Sequence, residues 1–166
     1  SSLGEGTSIT LTVPLEHGHQ ITSRNESADK ANNFEDHELA TYYPHKILLV
    51  EDNAINQKIA KMIFNKLGYR CEVASDGIEA VEMVMNNRTN PYSLIFMDIM
   101  MPEMDGITAT IKILEHLGKD SPIIIAMTAN VFEEDKKSFI SAGMNDFIAK
   151  PVQISEFKRV LTKYSN

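Results

Sequence analysis

From Lys46 onward the chain is expected to fold as a doubly wound α/β domain, a five-stranded parallel sheet with helices on both faces. Three observations predict it. Short apolar runs and amphipathic stretches alternate along residues 46–164. The first and fourth runs are continuous rather than alternating, as strands covered on both faces require. Charged or hydroxyl-bearing residues end most of the runs, which is where such sheets carry their ligands. Strand–helix alternation implies parallel pairing, and right-handed crossovers leave few topologies.

The elements follow in order. Lys46 to Val50 (KILLV) is the first strand. Ile55, Ile59, Met62, Ile63 and Leu67 then recur at helical spacing, and Gly68 stops that helix. Arg70 to Ala74 is the second strand, and Gly77 to Asn86 the second helix, with Ile78, Val81, Val84 and Met85 expected inward. Ser93 to Met97 is the third strand and Ile107 to Leu117 the third helix. Ile123 to Met127 (IIIAM) is the fourth and most apolar strand, followed by a helix over Glu133 to Ala142. Asp146 to Ala149 is a short fifth strand, and Ile154 to Tyr164 the fifth helix.

Composition narrows the function. The chain has 166 residues, 43% of them apolar and 23% charged, enough for one domain with tails. No run approaches the roughly 18 apolar residues of a membrane span, and no signal peptide is recognised, so this stretch is expected to make no membrane contact. Residues 1–45 hold 7 acids and 2 bases, a net of −5, and residues 46–166 hold 16 acids and 14 bases, a net of −2. Neither half offers the basic surface that a phosphate backbone needs, so nucleic-acid binding is not expected. The one cysteine, Cys71, excludes an intrachain disulfide and reads as a small core residue, in keeping with a cytoplasmic location.

Residues 16–44 are polar, rich in His, Asn, Ser and charge, and lack apolar periodicity. Such a stretch buries too little surface to offset its ordering entropy and is expected to be a flexible linker. Before it, Gly4 to Leu15 (GEGTSITLTVPL) has a glycine turn, alternation at Ile9, Leu11 and Val13, and a closing proline, the pattern of a strand. The expected organisation is therefore 1–15, 16–44 and a folded domain over 45–166.

The strand ends carry the chemistry. Glu51 and Asp52 follow the first strand, Asp98 the third, Thr128 ends the fourth, and Lys150 follows the fifth. Any one of these is explained by capping a helix or opening a loop. Five at one edge of one sheet are not, because the fold brings those ends together. Three carboxylates so placed would repel and raise one another's pKa unless a cation intervened. Mg²⁺, which takes few protein carboxylates and keeps several waters, suits them.

These same residues carry a resemblance. KILLVEDNAINQ, LIFMDIMMPEMDG, IIIAMTAN and DFIAKP, in that order and spacing, are similar to the response-regulator receiver domain over about Lys46 to Lys163. The resemblance implies a flavodoxin-like (CheY-like) sheet in the order 2-1-3-4-5 with five helices. It implies Asp98 as phosphoacceptor, Asp52 and Asp98 as direct Mg²⁺ ligands, Glu51 acting through water, and the Met100 backbone carbonyl as a further ligand. Thr128 and Lys150 would contact the phosphoryl oxygens, and Thr128 with Phe147 would form the switch read by partners. It further implies a cis Lys150–Pro151 bond. Glu51 stands where many receivers have aspartate. Met100 offers no side chain to orient an attacking water, which implies slow self-hydrolysis unless Asn130 compensates.

The resemblance extends to organisation. Gly4 to Leu15 resembles the last strand of a histidine-kinase ATP-binding domain, so 1–15 is expected to be its remnant in a parent hybrid sensor kinase, of a kind that can be membrane-anchored. The fragment would lack the kinase core and catalyse only its own Asp98 phosphorylation and dephosphorylation. Its expected partners are a phosphohistidine-bearing kinase or a histidine phosphotransfer protein, and it is expected to be a monomer. His37 to Pro44 (HELATYYP) superficially matches a phosphohistidine box, but Ala40 replaces its basic residue and the proline is two positions late. His17 and His19 flank a glycine in polar sequence and read as solvated. The competing enzyme reading is a Mg²⁺-dependent phosphatase of haloacid-dehalogenase type. That family carries its nucleophile in D-x-D after the first strand, whereas Glu-Asp-Asn stands there and the lone Asp98 follows the third. A flavin-binding module would need a phosphate-cradling loop where Glu51 and Asp52 repel phosphate.

Overall fold

Five strands, β1 (Ile47–Val50), β2 (Cys71–Ala74), β3 (Leu94–Asp98), β4 (Ile123–Thr128) and β5 (Asp146–Ala149), form one sheet. Neighbours pair parallel throughout, in the expected order β2-β1-β3-β4-β5. The structure, a computed structural model, describes residues 36–129 and 132–165. The strand expected at Gly4 to Leu15, residues 16–35 of the expected linker, and Asn130 lie outside the described residues. The helices are α1 (Leu39–Tyr42), α2 (Ala54–Lys66), α3 (Gly77–Asn86), α4 (Gly106–Leu117), α5 (Glu133–Ser141) and α6 (Ile154–Lys163). The five expected helices are α2 to α6, and their ends and those of the strands fall within one residue of expectation where both were stated.

Two apolar layers sandwich the sheet. Leu49, Phe96, Met127 and Ile148 face α2 and α6, where Phe64, Phe96 and Phe157 meet with ring centroids 4.6–5.2 Å apart. Val50, Met97 and Ala126 face α3, α4 and α5, which contribute Val84, Ile113 and Phe139. Every residue of β1 and β3 is buried, which is why their sequences do not alternate. The second strand does alternate, since it lies at an edge.

Two helices turn a different face inward than their apolar spacing suggests. On α2, Ala60, Phe64 and Leu67 are buried and Ile63 partly so, while Ile55, Ile59 and Met62 are 71%, 43% and 63% exposed. On α3, Ala80 and Val84 are buried with Val81 and Met85 partly so, but Ile78 points outward. Small alanines supply the close approach to the sheet, so the larger residues flanking them are left outside.

The last part of the expected linker is folded. A 3-10 turn, Asp36–Glu38, leads into α1, whose Leu39 is buried against the α2–α6 layer. The Ala40 N–H donates to the Leu67 carbonyl at 3.3 Å, and the Tyr69 hydroxyl donates to the Tyr43 carbonyl at 2.6 Å. Gly68, with φ +85°, ends α2, and a Cβ there would lie 2.4 Å from the His37 carbonyl oxygen. Glycine thus serves twice, as helix stop and as the floor on which the turn rests. His37 belongs to this turn.

Candidate functional site

The central strand β3 delivers its last residue, Asp98, to the carboxyl edge of the sheet, where it is 4% exposed. The adjacent β1 delivers Glu51, 2% exposed, and the exposed Asp52. One carboxylate oxygen from each of the three lies within 4.8 Å of the others. Two features hold Asp98 at that depth. The Met100 N–H donates to its Oδ1 at 3.2 Å, and Gly106, at the start of α4, lies so close that a Cβ would sit 2.1 Å from the Asp98 carbonyl oxygen. Asp105 caps α4 by accepting from the Thr108 N–H at 2.8 Å, which fixes the loop after Asp98.

Lys150 enters from the far side. Its N–H donates to the Thr128 carbonyl at 2.8 Å, tying the end of β5 to the end of β4, and the Lys150–Pro151 bond is cis as expected. Its ammonium donates to Glu51 Oε2 at 2.6 Å and lies 2.7 Å from Asp98 Oδ2. Thr128 is buried beside them. Burial pushes the Asp98 carboxyl above the usual range, with Glu51 adding to the shift, against the pull of Lys150. Burial alone would lower the Lys150 ammonium, but its bonds to Asp98 and Glu51 raise it, so it stays charged.

All five strand-end residues singled out in the sequence therefore share one edge. Three carboxylates against one ammonium leave a negative, oxygen-rich cluster, which fits a hard divalent cation. Met100 follows two residues after Asp98, its side chain 78% exposed. Phe147 lies on β5, partly buried against the α3–α5 layer, with the Lys136 ammonium 5.3 Å from its ring centroid. A cavity of about 360 Å³ opens beside Lys150, lined by Asn56, Ile59, Met127, Pro151 and Val152 among others.

Sequence reasoning passed over two residues. Asn56 Nδ2 donates to Glu51 Oε1 at 2.8 Å, and Gln57 Nε2 donates to the Glu51 carbonyl at 2.7 Å. The available signal was two amides in the first turn of the helix after Glu51, brought to it once Asn53 caps that helix. Among the described residues no helix is long and apolar enough to cross a membrane.

Comparison with known proteins agrees with this geometry. The family model described as response regulator receiver domain matches residues 47–162. Histidine protein kinase 1 of Candida albicans is 43% identical over 132 residues, covering 75% of this chain but only 5% of that kinase. The chain thus spans about a twentieth of that relative's length. The receiver domain of sensor histidine kinase PA1611 from Pseudomonas aeruginosa, with magnesium coordinated in its active-site cleft, superposes with TM-score 0.65 at 39% identity, covering 72% of this chain and 96% of that one. The receiver domain of Ssk1, solved with the histidine phosphotransfer protein Ypd1 of Saccharomyces cerevisiae, superposes with TM-score 0.66 at 30% identity, covering 72% and 88%. With the sheet order, the site and a match over most of its length in agreement, the chain belongs to the response regulator receiver domain family.

Proposed function

We propose that this receiver takes a phosphoryl group from a phosphohistidine onto Asp98 and passes it on to a histidine phosphotransfer protein. The observation that carries the reading is Asp98 itself, a buried carboxylate with an ammonium at 2.7 Å and two further acids within reach. An Asp98 oxygen forms the bond to phosphorus as the phosphorus–nitrogen bond breaks, and the electron pair leaves with the donor imidazole. Charge then grows on the phosphoryl oxygens. Lys150 can turn from the carboxylates to meet it, and the Thr128 hydroxyl stands at the adjacent strand end. Catalysis of this kind is mostly alignment and electrostatics.

Asp52, Asp98 and the Met100 carbonyl would hold Mg²⁺, with Glu51 acting through water. When bound, the ion neutralises charge between the acids and the phosphoryl oxygens. Met100 offers no side-chain hydrogen bond to a water, so the aspartyl phosphate should hydrolyse slowly. The outward stripe of Ile55, Ile59 and Met62 lies beside the site and offers apolar surface to a partner such as the phosphotransfer protein seen with Ssk1. For onward signalling, movement of the Thr128 hydroxyl toward the phosphoryl group would free space for Phe147, carrying the change to α5, β5 and α6. The pattern of Gly4 to Leu15 supports a parent kinase whose ATP-binding domain ends at residue 15, with 16–35 as linker, in the cytoplasm.

Incubating the chain with acetyl phosphate and Mg²⁺ and measuring its mass tests the reading. One phosphoryl group stably gained, and none in Asp98→Asn, is the expected result, because the amide is nearly isosteric but not nucleophilic. Stoichiometric labelling of the variant would remove Asp98 from this role. Continuous release of phosphate would point instead to a phosphatase.

A further inference from the structure

We propose that Asn56 is a positioning residue for Glu51, holding the longer acid in a fixed place where many receivers carry aspartate. The inference rests on the reading of the Asp98 edge as a Mg²⁺-dependent phosphoacceptor site. The Glu51 backbone is held at both ends: its N–H donates to the Ala74 carbonyl at 3.1 Å, and its carbonyl accepts from Gln57 Nε2 at 2.7 Å. Its side chain still has one more rotatable bond than aspartate, and a carboxylate free to swing is a poor partner for an ion of strict geometry. The two oxygens divide their partners. Oε2 accepts from Lys150 at 2.6 Å, while Oε1 accepts from Asn56 Nδ2 at 2.8 Å and from the Asn53 N–H at 3.4 Å.

These anchors are not equivalent. Lys150 is shared with Asp98, and it leaves Glu51 when it turns toward an incoming phosphoryl group. Among the described residues, the Asn56 amide donates at the site to Glu51 alone. Its amide is neutral, so it orients the carboxylate without cancelling the negative charge that attracts the cation. Its own place is secured by the helix cap, in which Asn53 Oδ1 accepts from the Ile55 N–H at 2.9 Å and the Asn56 N–H at 3.3 Å. A polar residue one layer behind a metal ligand commonly governs affinity in this way.

Mg²⁺ titrations of the full 166-residue chain, read from the amide NMR shifts of Asp98 and Met100, test it. Five proteins are compared: the parent chain, Asn56→Ala, Glu51→Asp, the double variant, and Asn56→Ser as a second chain lacking the amide. Thermal melts confirm that each is folded, which the helix propensity of alanine favours. Asn56→Ala and Asn56→Ser are expected to weaken Mg²⁺ binding about 10-fold. In the Glu51→Asp background the same change is expected to cost nothing further, because a carboxylate one methylene shorter no longer reaches Nδ2. That coupling separates positioning from a merely structural role. Unchanged affinity in Asn56→Ala, or an equal loss in both backgrounds, overturns the inference. A parent chain showing no Mg²⁺-dependent shift overturns the reading of the site itself.

Discussion

At the carboxyl edge of the sheet, Glu51 and Asp98 are almost wholly buried charges, held by one ammonium and three backbone or amide donors. At the amino edge, the 36–43 segment is held by the buried Leu39, hydrogen bonds with Leu67 and Tyr69, and ion pairs of Asp36 with Lys158 on α6 and Lys66 on α2. The first region keeps charge under tension in a poorly solvated place, the condition for chemistry. The second does what an ordinary domain terminus does, covering apolar surface with what the chain has left. The difference teaches where each substitution should register: in binding and transfer at one edge, in stability alone at the other.

The comparison breaks most visibly at Lys150. Lys150→Met should reduce phosphoryl uptake by about 100-fold or more, as loss of one donor to a developing oxyanion does. The same variant should bind Mg²⁺ more tightly, since the ammonium no longer competes for Glu51 Oε2 and Asp98 Oδ2. Labelling rates and metal titration measure the two effects, and a fall in both would mean that Lys150 is needed to shape the site.

Leu39→Ala is the matching change at the other edge. It should destabilise the domain by about 2 kcal/mol, the low end for a buried leucine at a margin. A lowered urea midpoint with unchanged Mg²⁺ affinity is expected, and altered metal binding would show that the two edges are coupled.

Asp146 sharpens the contrast by pH. Burial would raise its carboxyl, but hydrogen bonds from Arg159 and Lys163 hold it at about 2, below the ordinary 3.8. A depressed acid stabilises the fold fully above its unfolded pKa and loses that contribution as pH falls through the folded one. Stability should therefore decline between about pH 4 and pH 2, and Asp146→Asn should flatten that part of the curve. The smallest effect is expected from Asp36→Asn. Its partners Lys158 and Lys66 are on the surface, so little stability should be lost, and less still at high salt.

The strand and helix ends and the five strand-end residues were legible in the sequence because each rests on a local rule, whereas the strand order followed from the resemblance to the receiver family. Continuous apolar runs mark strands buried on both faces, Gly68 stops α2, and residues following the runs must gather at the carboxyl edge. The inward face of α2 was not legible. Ile55, Ile59 and Met62 repeat at helical spacing as well as Ala60, Phe64 and Leu67 do, and periodicity says only that an apolar stripe exists. Which stripe meets the sheet depends on how closely the helix approaches, and Ala60 permits the closer approach.

The sequence by itself thus determined the parallel α/β class, the element boundaries and the acids, hydroxyl and lysine that the fold must bring together, since these follow from period, turn chemistry and chain direction. Only the tertiary structure decided that residues 36–44 fold onto the domain, and that Asn56 and Gln57 hold Glu51. The physical reason is the same for both. A single leucine in polar sequence, or an amide in a helix turn, has no local partner. It gains its energy from groups far along the chain or across a turn, Leu67 and Tyr69 in one case and a buried carboxylate in the other, whose positions no local pattern encodes.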